Sequence, residues 1–215
     1  MFSNLVFPVG SSQAFLTPNI QRSCVNCQKT PRALRVYRHF DESSSPTSAE
    51  KRAGVRTTRR MIALIIPIRK AYCLYSFLRA LGNKENVDHV VLGPTGIFAI
   101  ETKDYRGKIT CKGSYWAVPF PYGRSSSGQA KGNAYWVKKT IDGSGVSETL
   151  KVALYVKPIA VFSNPDVELI TIDPEVDVVK LDELAESITA YSRYDFSIEQ
   201  LKAMGNAITT QAQNT

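Results

Sequence analysis

From residue 71 onward the hydrophobic positions fall into short runs of strand length, separated by polar turns. "AYCLYSFL" (71–78) is aromatic and apolar and is followed by the polar stretch "GNKEN" (82–86), which predicts a strand and a turn. "VDHVVL", "IFAIETK", "KITCKG" and "SYWAVP" come in quick succession between residues 87 and 119 and predict a run of antiparallel strands. The period then changes. "SSSGQAKGNAYWVKKTI" (125–141) predicts a serine-capped helix with Ala134, Val137 and Ile141 on its apolar side, two internal glycines notwithstanding. "ALYVKPIAVFS" (153–163) is almost continuously apolar, the pattern of a central strand covered on both faces. "EVDVVKL" (175–181) predicts another strand, with a helix opening at Asp182. "SIEQLKAMGNAIT" (197–209) begins with a Ser197/Gln200 capping box and predicts a last helix. Together these describe an α/β fold in which a mixed sheet, an antiparallel meander plus a central covered strand, is flanked by helices.

The N-terminal part reads differently. Residues 1–48 mix Ser, Pro, Asn and basic residues without sustained periodicity, and "DESSSPTS" (41–48) has the composition of a linker. This divides the chain into a basic, partly disordered arm over 1–47 and a domain over 48–215. The domain opens with a predicted helix from Ser48, a capping residue, with Glu50 in the first turn where a carboxylate is favoured. With 215 residues and 43% hydrophobic composition the chain has enough apolar material for one real core. The formal charge is +8, but residues 1–60 hold ten Lys/Arg against three Asp/Glu, whereas residues 61–215 hold 17 against 16. The basic surplus therefore belongs to the arm, as a solvated tail or as one that tracks phosphates.

Four cysteines in a chain of this length do not make a disulfide framework. Cys24 and Cys27 form a lone CxxC, to which His39 could add a third zinc ligand, with no second CxxC to complete a site. Cys73 and Cys111 lie in strand-like runs and read as small core residues. The run "MIALIIPI" (61–68) is far short of the about 20 residues that span a bilayer, and the first residues lack the charged start of a signal peptide. A soluble intracellular, cytoplasmic protein with no membrane partner is the expectation.

Chemistry enters at "DHVVLGPTGIFAIETK" (88–103), where charged residues stand inside an apolar hairpin. A turn on "GPTG" makes pairing partners sum to 189, so Leu92 faces Ile97, Val90 faces Ala99 and Asp88 faces Glu101. Directly opposed residues share a face, with Cβ atoms roughly 4.5–5.5 Å apart. Lys103, two residues past Glu101, points the same way. Opposed carboxylates repel unless a divalent cation stands between them, and the lysine could then act on a bound water or on charge developing at phosphorus. A salt bridge at a sheet rim would use the same three residues without chemistry. Hairpin geometry alone leaves both open.

The spacing D-x12-E-x-K on adjacent strands resembles the active-site pattern of the PD-(D/E)xK nuclease superfamily, the restriction-endonuclease-like fold. The longer string "NVDHVVLGPTGIFAIETKDYRGKI" (86–109) closely resembles the nuclease-related domain (NERD) family within it. The likeness runs on through "GQAKGN" (128–133), "VKPIAVFSNPDVEL" (156–169) and "VVKLDEL" (178–184), covering roughly residues 48–190. The resemblance implies that Asp88 and Glu101 are metal ligands for Mg²⁺ or Mn²⁺ and that Lys103 is the catalytic lysine. It implies that Gln129, at the family's helix glutamine, helps position water, lysine or phosphate. It matches Glu50 to the acidic residue of the first helix, although Ala49-Glu50 stands where the family tends to show Gly-Glu.

Just past the site, Arg106, Lys108 and Lys112 are placed to touch phosphates, with Tyr105 and Trp116 nearby; an ordinary solvated hairpin edge would look the same. The reading is a Mg²⁺- or Mn²⁺-dependent nuclease, a hydrolase acting on DNA, where the resemblance supplies DNA as the substrate. A nucleic-acid-binding module of the same fold with little turnover is the main alternative. A zinc-dependent tail at Cys24 and Cys27 is the second.

Overall fold

The computed structural model describes residues 86–119 and 125–213, together with the backbone of three strands at 2–6, 35–39 and 73–79. Ten strands and four helices follow one another among these residues. They are β1 Phe2–Val6, β2 Arg35–His39, β3 Cys73–Arg79, β4 Asn86–Gly93, β5 Gly96–Lys103, β6 Gly107–Lys112 and β7 Tyr115–Ala117, then α1 Ser126–Gly143 and α2 Val146–Leu150. After these come β8 Val156–Phe162, β9 Val167–Ile172, β10 Asp177–Lys180, α3 Leu184–Ala190 and α4 Ile198–Gln213. Seven strands form one mixed sheet in the order β1-β2-β3-β4-β5-β8-β10, and β7-β6-β9 form a second. The expected α/β architecture is present. Two of its strands, β1 and β2, come from the segment expected as an arm.

The hairpin register follows the turn chemistry. Gly93 pairs with Gly96 across a Pro94–Thr95 turn, Leu92 with Ile97, and Val90 with Ala99, as the sum rule requires. Alternation along β4 and β5 then sends two sets of apolar side chains to opposite faces. Val90, Leu92, Ile97 and Ala99 pack against Ala134, Val137 and Ile141 of α1 and Leu201, Met204 and Ile208 of α4. Val91, Phe98 and Ile100 pack, with Ile159 and Val161 of β8, against Leu184 and Ile188 of α3. Each large side chain sealed in this way contributes about 1.5–3 kcal/mol. Helices cover both faces of the sheet centre, so β8 reads as a near-continuous apolar run.

The local signals at the helix ends act as expected. The Ser125 side chain accepts a hydrogen bond from the Gly128 N–H at 2.9 Å and caps α1. At α4 the Ser197 N–H donates to Gln200 Oε1 at 2.8 Å while the Gln200 N–H donates to Ser197 Oγ at 3.3 Å, a reciprocal capping box. The predicted helix from Ser48 lies outside the described residues, as do Cys24 and Cys27.

The meander does not stay in one sheet. After Lys103 the chain leaves β5 through three residues and re-enters strand at Gly107, whose φ of 78° suits only glycine well. β6 then pairs with β7 antiparallel on one side and, on the other, with β9, a strand not expected from the sequence, in parallel along Gly107↔Val167 to Lys112↔Ile172. Its β-branched "VELITI" was the available signal. Ile109, Cys111, Trp116 and Val167 of this small sheet close on Phe162 at the end of β8. Trp116 stacks on Phe162 and donates its indole N–H to Ser127 Oγ at 3.0 Å, fastening the small sheet to the start of α1. Trp116 and the buried Cys111 are core residues.

The tip of the hairpin is closed by the segment before α4. Thr95 O accepts from the Arg193 and Tyr194 N–H groups and Pro94 O accepts from the Phe196 N–H. Tyr191 lies edge-on to Phe98, so close to Gly96 that a Cβ there would meet the Tyr191 ring at 2.8 Å and Phe98 at 2.9 Å. Gly96→Ala is therefore expected to destabilise the fold by about 1–3 kcal/mol, read as a lower urea midpoint at unchanged slope.

Candidate active site

Three charged side chains stand at the open end of the β4–β5 hairpin. The backbone ladder between the strands stops at His89↔Ile100. One residue further on, Asp88 bridges the strands with its side chain, Oδ2 accepting the Thr102 N–H at 2.8 Å. Across from it Glu101 is buried at 7% exposure, and the Lys103 ammonium sits 2.6 Å from Glu101 Oε1. β5 is held in place on its other side by β8, through the register Glu101↔Ala160 to Lys103↔Phe162, and the Lys103 carbonyl accepts the Ser163 N–H. The charged face thus rests on the best-covered strands of the sheet.

The electrostatics follow from this crowding. Burial raises the Asp88 carboxyl pKa to about 7, and the negative charge of Glu101 pushes it the same way; the Thr102 N–H and the Lys103 charge oppose the shift without cancelling it. Near neutrality Asp88 is therefore protonated about half of the time, in place of a full second negative charge. A doubly charged cation could take that proton's place, and a set of hard carboxylate oxygens fits Mg²⁺ or Mn²⁺. Among the described residues no cluster of three or more His, Cys, Asp or Glu stands together, so the donor set there is the carboxylate pair.

Glu101 has a second partner that sequence reasoning missed. Asn133, in the middle of α1 and 4% exposed, donates from Nδ2 to Glu101 Oε2 at 2.8 Å. Gln129, the helix residue expected at the site, is half-buried one turn earlier on the same side of α1. The one signal for Asn133 was its i+4 spacing from Gln129. Glu50, the other expected member, lies outside the described residues.

The basic residues past the site lie on the surface. Arg106 is exposed in the link to the small sheet, and Lys108 and Lys112 are exposed on the outer side of β6, Lys108 Nζ standing 3.9 Å from Glu168 Oε1. Tyr105 instead turns inward and meets Phe162 edge-on. On α1, Lys138 pairs with Asp142 and Lys139 lies over the Trp136 ring, so neither is directed to the hairpin site.

A family profile described as "Nuclease-related domain" (NERD) matches residues 55–163, half of the chain and the part that contains Asp88, Glu101, Lys103, Gln129 and Asn133. The chain belongs to the nuclease-related domain family. The NERD match ends at Ser163, just past β8, and so includes the strands and helix that carry the three charges and the two amides. No curated protein and no solved structure matches the chain. Among the described residues no helix is long and apolar enough to cross a membrane.

Proposed function

We propose that this NERD protein is a divalent-metal-dependent phosphodiesterase that hydrolyses DNA. The observation that carries the proposal is the convergence of Asp88, Glu101 and Lys103 at one end of a hairpin, with a carboxyl group that burial and repulsion keep from ionising normally. A rim salt bridge would need one carboxylate and one lysine. The second carboxylate adds only repulsion and desolvation unless something positive joins it.

Asp88 and Glu101 would hold Mg²⁺ or Mn²⁺, which when bound supplies Lewis-acid activation of water and charge neutralisation at phosphate. Lys103, 2.6 Å from Glu101, stands ready to donate to an attacking water or to oxygens that gain charge as a P–O bond breaks. Gln129 would orient the water or the phosphate from α1. Arg106, Lys108 and Lys112, all exposed beyond the end of β5, would contact the backbone of the DNA on either side of the scissile bond without reading its sequence.

Nicking of supercoiled plasmid with and without Mg²⁺ or Mn²⁺ tests the reading. Lys103→Ala is expected to slow metal-dependent nicking on the order of 10²–10³-fold, the usual effect of removing one donor to developing charge. Plasmid that binds but is never cut, with no heat of metal binding, would turn the proposal into a DNA-binding module on the same fold.

A further inference from the structure

Glu101 is gripped at both oxygens, and only one grip belongs to the charged triad. Lys103 takes Oε1 at 2.6 Å, and Asn133 takes Oε2 at 2.8 Å from a helix 32 positions along the chain. Asn133 is 4% exposed and its neighbour Ala134 is part of the core beneath the hairpin, so the amide cannot swing away without opening the α1–sheet interface. A carboxylate on a strand has two soft side-chain torsions before its terminal group, and a contact from a second rigid element removes that freedom.

We infer that Asn133 is the positioning residue of Glu101. Resting on the metal-site reading above, it pins Oε2 so that Oε1 is the oxygen presented to Lys103 and to the space shared with Asp88. The choice of an amide has a chemical reason. A carboxamide supplies a donor without a charge, whereas an Asp would add a third negative group beside the two carboxylates of the hairpin, and a Lys would compete with the cation. The same contact ties the site to α1 at Asn133, one turn after Gln129, so any shift of this helix moves Glu101 as well. Partners that orient a ligating carboxylate usually change metal affinity by about 10–100-fold when lost.

Isothermal calorimetry of Mn²⁺ binding to the DNA-free full chain tests this, with four proteins compared. Asn133→Leu keeps the branched shape of the side chain and removes the donor; Asn133→Ala removes both. Ala134→Gly loosens the same stretch of α1 without touching Glu101. The expected result is a Kd raised about 10–100-fold in both Asn133 variants and within twofold of wild type in Ala134→Gly, even though all three variants lower the thermal midpoint. Asn133→Leu that binds Mn²⁺ like wild type would overturn the inference and leave the metal site standing. A rise in Kd in Ala134→Gly equal to that in Asn133→Leu would also overturn it, reducing Asn133 to helix packing. Wild type without any heat of binding would overturn both the metal-site reading and the role of Asn133.

Discussion

Asp88→Asn is expected to abolish metal-dependent nicking and, in the absence of metal, to make the protein more stable than wild type near pH 8. The two effects have one cause. Burial and the charge of Glu101 raise the Asp88 pKa to about 7, so at pH 8 the ionised carboxylate is held where the fold disfavours it. Asparagine keeps an oxygen to accept the Thr102 N–H and removes the charge. At about 1.36 kcal/mol for each unit of pKa displacement, the gain amounts to a few kcal/mol at most, seen as a higher urea midpoint in chelator. The loss of cleavage is larger. Several kcal/mol of transition-state charge stabilisation depend on the ligand pair, which is on the order of a thousandfold or more in rate. A variant that still nicks plasmid, or that is less stable than wild type in chelator, would contradict the assignment of Asp88 as a ligand held under strain of charge.

Metal affinity should depend steeply on pH below neutrality. The Asp88 pKa in the folded protein is raised above its ordinary value of 3.8 to about 7. A raised carboxyl favours the folded state while it carries its proton, so its contribution is full below about pH 4, falls as pH rises toward 7, and levels off above. A cation must displace that proton. Mn²⁺ affinity is therefore expected to rise about tenfold per pH unit up to about pH 7 and to flatten beyond it, with a proton released on binding in the acidic range. Calorimetry in two buffers of different ionisation heat, at pH of about 6 and about 8, measures both quantities. Stabilisation by metal against heat should follow the same curve, because it grows with the ratio of free metal to Kd. An affinity that does not change across this range would mean that Asp88 does not hold the proton that the cation replaces.

Much of this was readable along the chain, and the readable parts are local. The Gly93–Gly96 turn dictates the register that brings Asp88 and Glu101 to the same end of the hairpin, because a two-residue period leaves no other choice of face. The Ser125 cap and the Ser197/Gln200 box are contacts within three residues, so a sequence pattern contains both partners. The continuous apolar run at 156–162 announced its own burial between two layers of helix. The basic residues at 106, 108 and 112 are exposed, an arrangement common to a phosphate-contacting face and to an ordinary solvated hairpin edge.

What the sequence could not determine depends on elements that meet only after the chain has crossed the sheet. The departure of β6 and β7 into a second sheet required β9, which arrives 60 residues after Gly107 and pairs with it in parallel. A parallel partner leaves no turn signature of its own, and nothing near Trp116 in the chain announces that Phe162 and Ser127 close around it. The two oxygens of Glu101 show the division most plainly. Lys103, two residues away on the same strand, was assigned to its side by alternation alone. Asn133 reaches the other oxygen because α1 packs across β5 and β8, and the direction of that crossing is set by apolar contacts of Ala134, Val137 and Ile141, not by anything in the residues around Glu101. Sequence period decides which face a side chain takes; only the packing of layers decides what it meets there.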